Sequence, residues 1–387
     1  MLFPGAVKTK LPNTGTTIFT IMSALAKEHG AINLSQGFPD FGVDPKLISL
    51  VHENMLVGHN QYAPMPGIPA LRDVLAQKLE FCYGTKIDAE KEITITAGGT
   101  QALYTAIAAT IREGDEVIVF EPAYDSYVPA IRLHGGIPVQ LQLAAPDFLI
   151  DWSQVKKSVT AKTRMIIINT PHNPTGTVMT AKDMQQLEKI VHNRDIFILS
   201  DEVYEHIIFD GLAHQSVLCY PKLAERSFVV FSFGKTVHAT GWKTGYCVAP
   251  ENLMAEFRRV HQYMVFSANT PLQFALASYL SEPSTYHSIP AFYQRKRDLL
   301  IKLLSKSRFE LLPCSGSYFL LLDYARISDE KDTVFAERIT REHGVATIPV
   351  SVFCKAPAKD MRLIRVCFAK EDETLAAAAE KLCAINQ

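Results

Sequence analysis

From about Asp44 onward, short apolar strands alternate along the chain with longer amphipathic helices. The predicted strands include Glu92 to Thr96, Arg164 to Asn169, Ile196 to Ser200 and Phe228 to Ser232. Alternation of this kind is typical of βαβ units, whose strands lie parallel and whose helices cover both faces of the sheet. The sequence therefore predicts an α/β fold with a mainly parallel central sheet flanked by helices.

The two ends of the chain have a different pattern. The N-terminal segment reads as an arm with one short helix, roughly Thr16 to His29. From about Pro283, the strands Ser317 to Asp323 and Leu363 to Phe368 alternate with helices in the manner of an α+β domain. We expect a large domain over residues 45–280 and a smaller α+β domain built from both chain ends, residues 1–44 and 281–387.

Composition excludes several classes of function. The formal net charge of the 387-residue chain is −1, which gives no reason to expect binding to nucleic acid or to an anionic membrane. Met1 to Thr20 lacks the apolar core of a secretory signal, and no apolar run approaches the ~20 residues of a membrane-spanning helix. The seven cysteines form no C-x-x-C pair, which argues against a disulfide framework or a metal site. These features predict a cytoplasmic protein.

Chemically active side chains follow the predicted strands. Lys235 comes just after the apolar run Phe228 to Phe231, and Asp201 directly follows Ser200. Ligands bind at the carboxyl ends of strands in open parallel sheets. A lysine for a Schiff base and an acid facing a ring nitrogen are what a pyridoxal phosphate (PLP) enzyme needs. Taken singly, Lys235 is equally compatible with a solvated surface lysine and Asp201 with a helix N-cap.

Three further residues are candidates for contacts with the cofactor ring. Tyr204 lies one helical turn after Asp201, and Asn173 precedes Pro174; either could hydrogen-bond a phenolate oxygen. Tyr124 follows another strand end and could stack on the ring. The alternatives are a core tyrosine with a satisfied hydroxyl, an ordinary Asn-Pro turn and a half-buried loop aromatic.

A phosphate site is predicted where Ala97-Gly98-Gly99-Thr100-Gln101 joins a strand to a helix. Small residues there let backbone N–H groups and the helix dipole approach an anion, and Ser232 and Lys243 could complete the shell. Tight packing alone would also explain the glycines. The segment lacks the G-x-G-x-x-G pattern, which argues against a dinucleotide-binding protein.

Arg365 is the candidate for holding a substrate carboxylate. It stands between Ile364 and Val366 in a predicted strand, where a charged side chain needs a partner of opposite charge. The planar guanidinium can hold a carboxylate through two parallel hydrogen bonds. An internal salt bridge is the alternative.

Taken together, these segments resemble the fold-type I PLP-dependent aminotransferases of class I/II. The resemblance is carried by Asn-x-Pro-x-Asn-Pro-x-Gly from Asn169, by Asp-Glu-Val-Tyr from Asp201 and by Ser232 to Lys243, and it extends over essentially the whole chain. It is closest to the branch containing bacterial methionine aminotransferases and kynurenine/glutamine aminotransferases. The resemblance implies the PLP-transferase fold and transfer of an amino group between an amino acid and a 2-oxo acid.

The resemblance also implies a role for each matching position. Lys235 would form the Schiff base, Asp201 would pair with the pyridinium, and Lys243 stands where many relatives carry arginine. The implied cofactor site further includes Gly99, Thr100, Gln101, Tyr124, Asn173, Tyr204 and Ser232. Gly37, Asn173 and Arg365 would fix the substrate carboxylate. Tyr62 would reach the phosphate of the partner subunit, so a homodimer with shared active sites is expected.

The N-terminal arm indicates the class of substrate. In this family the arm lines the side-chain pocket, and here it supplies Ile18, Phe19 and Phe38, whereas the first arginine in the chain is Arg72. A dicarboxylate substrate would require a second arginine, so an apolar or aromatic amino acid is predicted, with methionine first. β-Elimination from cysteine conjugates and kynurenine transamination share the same site residues and stay open. A non-catalytic PLP-binding protein is a further alternative.

Overall fold

The computed structural model describes residues 1, 3–12 and 14–385. The helices are α1 (Ile18–Glu28), α2 (Pro45–Leu56), α3 (Pro69–Tyr83), α4 (Gly99–Thr110), α5 (Tyr127–Leu133), α6 (Trp152–Ser158), α7 (Ala181–Val191), α8 (Pro221–Ala224), α9 (Phe233–Thr236), α10 (Glu251–Met264), α11 (Thr270–Leu280), α12 (Ser284–His287), α13 (Ile289–Leu304), α14 (Asp332–His343) and α15 (Asp372–Cys383). The strands are β1 (Ile32–Asn33), β2 (Ile93–Thr96), β3 (Glu116–Glu121), β4 (Ile137–Gln142), β5 (Thr163–Asn169), β6 (Phe197–Asp201), β7 (Ser227–Ser232), β8 (Gly245–Val248), β9 (Glu310–Leu311), β10 (Phe319–Asp323), β11 (Val345–Ala346), β12 (Ile348–Pro349) and β13 (Leu363–Cys367).

Seven strands form the central sheet, in the order β2-β8-β7-β6-β5-β3-β4. The pairs from β7 through β6, β5 and β3 to β4 are all parallel. Strand β8 runs antiparallel to both of its neighbours, β2 and β7. The predicted mainly parallel α/β sheet is therefore confirmed, and the carboxyl ends of β5, β6 and β7 meet at one edge.

Helices cover both faces of this sheet. In β3, Val117 and Val119 pack with α4 and α5 on one face, whereas Ile118 and Phe120 belong to the larger core on the other. Successive side chains of a strand point to opposite faces, so a strand covered on both sides is apolar over most of its length. That is why the central strands were recognisable in the sequence as continuous apolar runs.

The remaining strands form two smaller sheets. One is antiparallel, in the order β12-β13-β10-β9, and the other is the parallel pair β1-β11. That pair joins Ile32 to Val345, so an N-terminal segment packs with the C-terminal part of the chain. The domain limits at residues 45 and 281 stay a prediction. Within the described residues, we find no helix that is both long and apolar enough to cross a membrane.

Several elements differ from the sequence prediction. The edge strand β4 was not predicted, because it is only partly buried and carries Pro138, which interrupts an apolar pattern. The seven-residue helix α6 was also missed. The helix predicted from Tyr124 begins at Tyr127, since Tyr124 still belongs to the turn after β3.

Candidate active site

A cavity of about 240 Å³ opens at the carboxyl ends of β5, β6 and β7, beside the start of α4. The structure brings most of the predicted site residues to its wall. These are Gly37, Gly99, Thr100, Tyr124, Asn173, Asp201, Tyr204, Ser232, Lys235, Lys243 and Arg365. Residues separated by more than 300 positions in the chain thus share one site.

Asp201 ends β6 with its side chain almost completely buried. The Tyr127 hydroxyl donates a 2.6 Å hydrogen bond to Oδ2, and the Val203 N–H donates to Oδ1 at 3.3 Å. Burial raises the pKa of Asp201 to about 6, although the Tyr127 hydrogen bond and the charge of Lys235 oppose the shift. A buried carboxylate of this kind favours a cation placed against it, such as a protonated ring nitrogen.

Lys235 lies on the single turn of α9, directly after β7. Its Nζ is 2.6 Å from the Tyr318 hydroxyl and 3.3 Å from the carbonyl oxygen of Gly37. Burial, together with the nearby charges of Lys243 and Arg365, lowers the pKa of Lys235 to about 8, although Cys367 and Asp201 oppose the shift. The amine is therefore partly neutral near physiological pH, as a nucleophile or general base must be.

The start of α4 provides an anion site. Gly98 caps the helix with a φ of +87°, and in the described part of the chain no side chain caps the first backbone N–H groups, which have no acceptor within the helix. Ser232 and Lys243 line the same part of the cavity, and Thr100 Oγ1 lies 3.1 Å from the Tyr124 hydroxyl. A helix start, hydroxyls and an ammonium group are donors that suit a phosphate. The residues present therefore fit the phosphate of PLP.

Arg365 is 1% exposed, and its guanidinium stacks 3.9 Å from the centroid of the Phe319 ring. Its terminal nitrogens donate to Asn173 Oδ1 at 2.9 Å and to the Ser35 carbonyl at 3.0 Å. Among the described residues, Nε has no hydrogen-bond partner, and no acidic side chain forms an ion pair with this arginine. An internal salt bridge does not account for it, and a buried guanidinium with a spare donor is suited to a ligand carboxylate.

Four predicted residues do not line the cavity. The Gln101 side chain bonds the Ala97 N–H and the Thr105 hydroxyl instead, although its backbone lies in the first turn of α4. Tyr62 is 83% exposed. Ile18 and Phe38 also lie outside the lining, whereas Phe19 is part of it. Their predicted roles stay predictions.

Sequence reasoning missed three residues that act on the site. Tyr127 bonds Asp201, and Tyr318 bonds Lys235. Asn169, at the end of β5, accepts from the Asn173 backbone at 2.8 Å and donates to the Asp201 carbonyl at 2.9 Å. The only signal for Tyr127 was its position one helical turn beyond Tyr124. Buried tyrosines are otherwise typical of a core.

The site combines a strand-end lysine, a buried carboxylate, an anion site at a helix start and a buried arginine on a mainly parallel sheet. This combination defines a fold-type I PLP-dependent enzyme. The chain matches the family described as aminotransferase class I and II over residues 29–382, and it belongs to that family. Members of the family use pyridoxal 5′-phosphate, so the predictions of the cofactor and of a transaminase are confirmed.

The relatives match almost the whole chain. Methionine aminotransferase of Escherichia coli K12 is 54% identical over 376 residues, or 97% of each chain. Mouse kynurenine–oxoglutarate transaminase 1 is 34% identical over an alignment of 397 positions, which covers 93% of each chain. The crystal structure of YbdL from E. coli, for which a methionine aminotransferase function is described, has a TM-score of 0.95 at 53% identity and covers 98% of this chain and 99% of that one.

Proposed function

We propose that this transaminase moves the amino group of an apolar or aromatic L-amino acid, methionine first, to a 2-oxo acid. The observation that carries the proposal is the lining of the cavity. Among the described residues, Arg365 is the only arginine in it, and it lies with Phe19 and Phe319. One guanidinium serves the carboxylate that every amino acid has, while the aromatic rings suit a thioether or an aromatic side chain. The 54% identity to a methionine aminotransferase supports the same choice.

The residues divide the work of the reaction. When bound, PLP supplies the electron sink for the pair released at the substrate Cα. Asp201 would hold the charge of the ring nitrogen, and the start of α4 with Ser232 and Lys243 would hold the phosphate. Arg365 would fix the substrate carboxylate. Lys235 Nζ, with its pKa lowered to about 8, would take the proton from Cα as general base.

We also propose a homodimer with shared active sites. Large apolar side chains that a monomer would leave in water support it: Leu56, Val57, Tyr62 and Tyr263 are each more than 70% exposed. The Tyr62 ring packs edge-on against Phe266 at 5.2 Å, which places it on this exposed apolar surface. A cytoplasmic location is proposed as well, since every cysteine in the described chain is free.

The test of the substrate is a comparison of half-reactions without an added 2-oxo acid. The purified holoenzyme is mixed with L-methionine, L-phenylalanine or L-aspartate, and the cofactor absorbance is followed to the amine form. We expect methionine to react fastest, with phenylalanine next. Lys235→Ala, which keeps the cavity but removes the base, should give no bleaching. A faster reaction with aspartate than with methionine would contradict the proposal.

A second candidate is kynurenine transamination together with β-elimination from cysteine conjugates. The aromatic lining of the cavity and the 34% identity to kynurenine–oxoglutarate transaminase 1 favour it. Elimination releases pyruvate and ammonia from a cysteine conjugate even when no 2-oxo acid is present. Stoichiometric production of both at a rate above that of methionine transamination would make elimination the main activity.

A further inference from the structure

The amine of Lys235 lies in a small aromatic compartment at the edge of the cavity. Its Nζ is 5.5 Å from the centroid of the Tyr204 ring and 5.2 Å from that of Tyr318. Two oxygens lie within hydrogen-bond distance, the Tyr318 hydroxyl at 2.6 Å and the Gly37 carbonyl at 3.3 Å. Tyr318 is fully buried, whereas Lys235 is half-buried at the wall of the cavity.

Counting hydrogens fixes the direction of each bond. The Tyr318 hydroxyl also contacts the Gly37 carbonyl, which can only accept, so the single hydrogen of the hydroxyl is donated there, and the neighbouring Tyr204 hydroxyl can then only donate to Tyr318. The hydroxyl therefore meets the lysine as an acceptor. A neutral amine has two N–H groups and one lone pair. Tyr318 and Gly37 take the two N–H groups, and the lone pair is left without a donor.

We propose that Tyr318 is a positioning residue that orients the Lys235 amine, with the Gly37 carbonyl as the second acceptor, so that its lone pair is free to take the substrate Cα proton. The proposal rests on the transaminase reaction assigned to Lys235 above. In the proton transfer, the C–H bond breaks, its electron pair stays with the carbon, and the proton forms the third N–H bond of Lys235. The resulting ammonium still has both acceptors in place.

The backbone at Gly37 is shaped for this role. A Cβ added there would lie 2.7 Å from Phe319 Cζ and 3.5 Å from Tyr318 Cε2. A side chain there would overlap the Phe319 ring, and the shift needed to relieve that overlap would move the carbonyl that Tyr318 and Lys235 share. The lack of a side chain at Gly37 would therefore help to position the Lys235 amine as well as the substrate carboxylate.

The test is Tyr318→Phe, which keeps the ring and removes the hydroxyl, and with it the acceptor for Lys235 and the donor to Gly37. In the single-turnover half-reaction with methionine, we expect proton abstraction to slow by ~10- to 100-fold while substrate affinity changes little. The primary isotope effect with Cα-deuterated methionine should rise, because proton transfer becomes more rate-limiting. A purely structural defect would lower the active fraction and leave the isotope effect unchanged.

A second readout does not use turnover. The pH dependence of PLP capture by the cofactor-free protein, followed by absorbance, reports protonation of the lysine. An acceptor stabilises the ammonium more than the amine, so Tyr318→Phe should move the midpoint of capture to lower pH. Should this variant fail to fold by circular dichroism, 3-fluorotyrosine at position 318 keeps the ring and weakens the acceptor, and the midpoint should move in the same direction.

Tyr324→Phe is the matched control. Tyr324 is also fully buried, and its hydroxyl donates at 2.8 Å to the Glu330 carbonyl, away from the cavity. Tyr324→Phe should keep the wild-type isotope effect and the wild-type pH midpoint of PLP capture. Wild-type values of both in folded Tyr318→Phe would overturn the proposal. If the wild-type enzyme prefers aspartate, the proposed substrate is wrong, and the Tyr318 comparison is then made with deuterated aspartate.

Discussion

Asp201→Asn should stabilise the cofactor-free protein at neutral pH while it abolishes useful transamination. Burial raises the pKa of Asp201 from 3.8 to about 6 in the folded protein. Because the folded-state pKa is raised, the stabilising contribution of the Asp201 carboxyl group in the wild-type protein is fully present below pH 3.8. That contribution is lost as pH rises through 6. Asparagine does not ionise, so the variant does not incur this loss.

The size of the effect follows from the shift. About two pKa units at ~1.4 kcal/mol each make the buried carboxylate cost about 3 kcal/mol above pH 7. In the wild type, the two carboxylate oxygens each accept one hydrogen bond, from Tyr127 and from Val203. Asparagine has only one acceptor oxygen, so one of these bonds is lost, which costs ~1 kcal/mol. The net gain in unfolding free energy for Asp201→Asn should therefore be about 2 kcal/mol at pH 8.

Urea unfolding of the cofactor-free proteins between about pH 4.5 and 8 measures this difference. The advantage of asparagine should grow up to about pH 6 and then level off. Adding PLP should reverse the order, because the ring nitrogen gives the carboxylate a cationic partner. Asp360→Asn, at an exposed aspartate, should change the unfolding free energy by less than ~0.5 kcal/mol at every pH. A stability difference between the wild type and Asp201→Asn that does not depend on pH would refute the reasoning.

Three other changes have defined outcomes. Arg365→Lys should raise the KM for methionine ~30-fold or more in steady-state kinetics, since an ammonium cannot form the paired bonds of a guanidinium; an unchanged KM would exclude the carboxylate role. Gly245→Ala would place a Cβ 2.6 Å from the Phe231 carbonyl oxygen, and should cost ~1–3 kcal/mol in urea unfolding and weaken PLP binding; wild-type stability would contradict this. Glu205→Gln should cost ~3 kcal/mol in unfolding free energy, because it leaves the buried Lys78 ammonium, 2.6 Å away, without its carboxylate; a loss below ~1 kcal/mol would argue against a stabilising ion pair.

The parts of the site that the sequence predicted are those attached to buried parallel strands. Such strands have apolar centres, so a charged residue at the end of a strand or just after it stands out, as Asp201 and Lys235 do. The sheet edge then brings those residues together without further information. Arg365, which the C-terminal part of the chain contributes, was predicted from its charge between apolar neighbours and from the family resemblance. Its contacts required the structure.

Two of the three residues that the sequence analysis missed are buried aromatic groups whose polar atoms face the site. Tyr127 and Tyr318 are almost fully buried, and by composition they are indistinguishable from core tyrosines. Their function lies in one hydroxyl each, whose direction depends on tertiary packing. Gln101 shows the same limit in reverse, because its place after Thr100 suggested a ligand while its side chain turns to His261. Sequence distance along a helix does not fix which face meets a cavity unless the packing is known.

The charged groups of the site share one physical condition. Burial raises the pKa of Asp201 and lowers the pKa of Lys235 to about 8 and of Arg365 to about 10. Each is thus destabilised in its charged form by the fold, and Arg365 Nε also has no hydrogen-bond partner among the residues that the structure describes. In the proposed reaction, cofactor and substrate would provide the missing partners: a ring cation for the aspartate, an aldehyde carbon for the lysine and a carboxylate for the arginine. The fold thus holds these groups in an electrostatically unfavourable environment. Binding of the ligands would relieve it, which would increase their affinity, and the same environment keeps the Lys235 amine reactive.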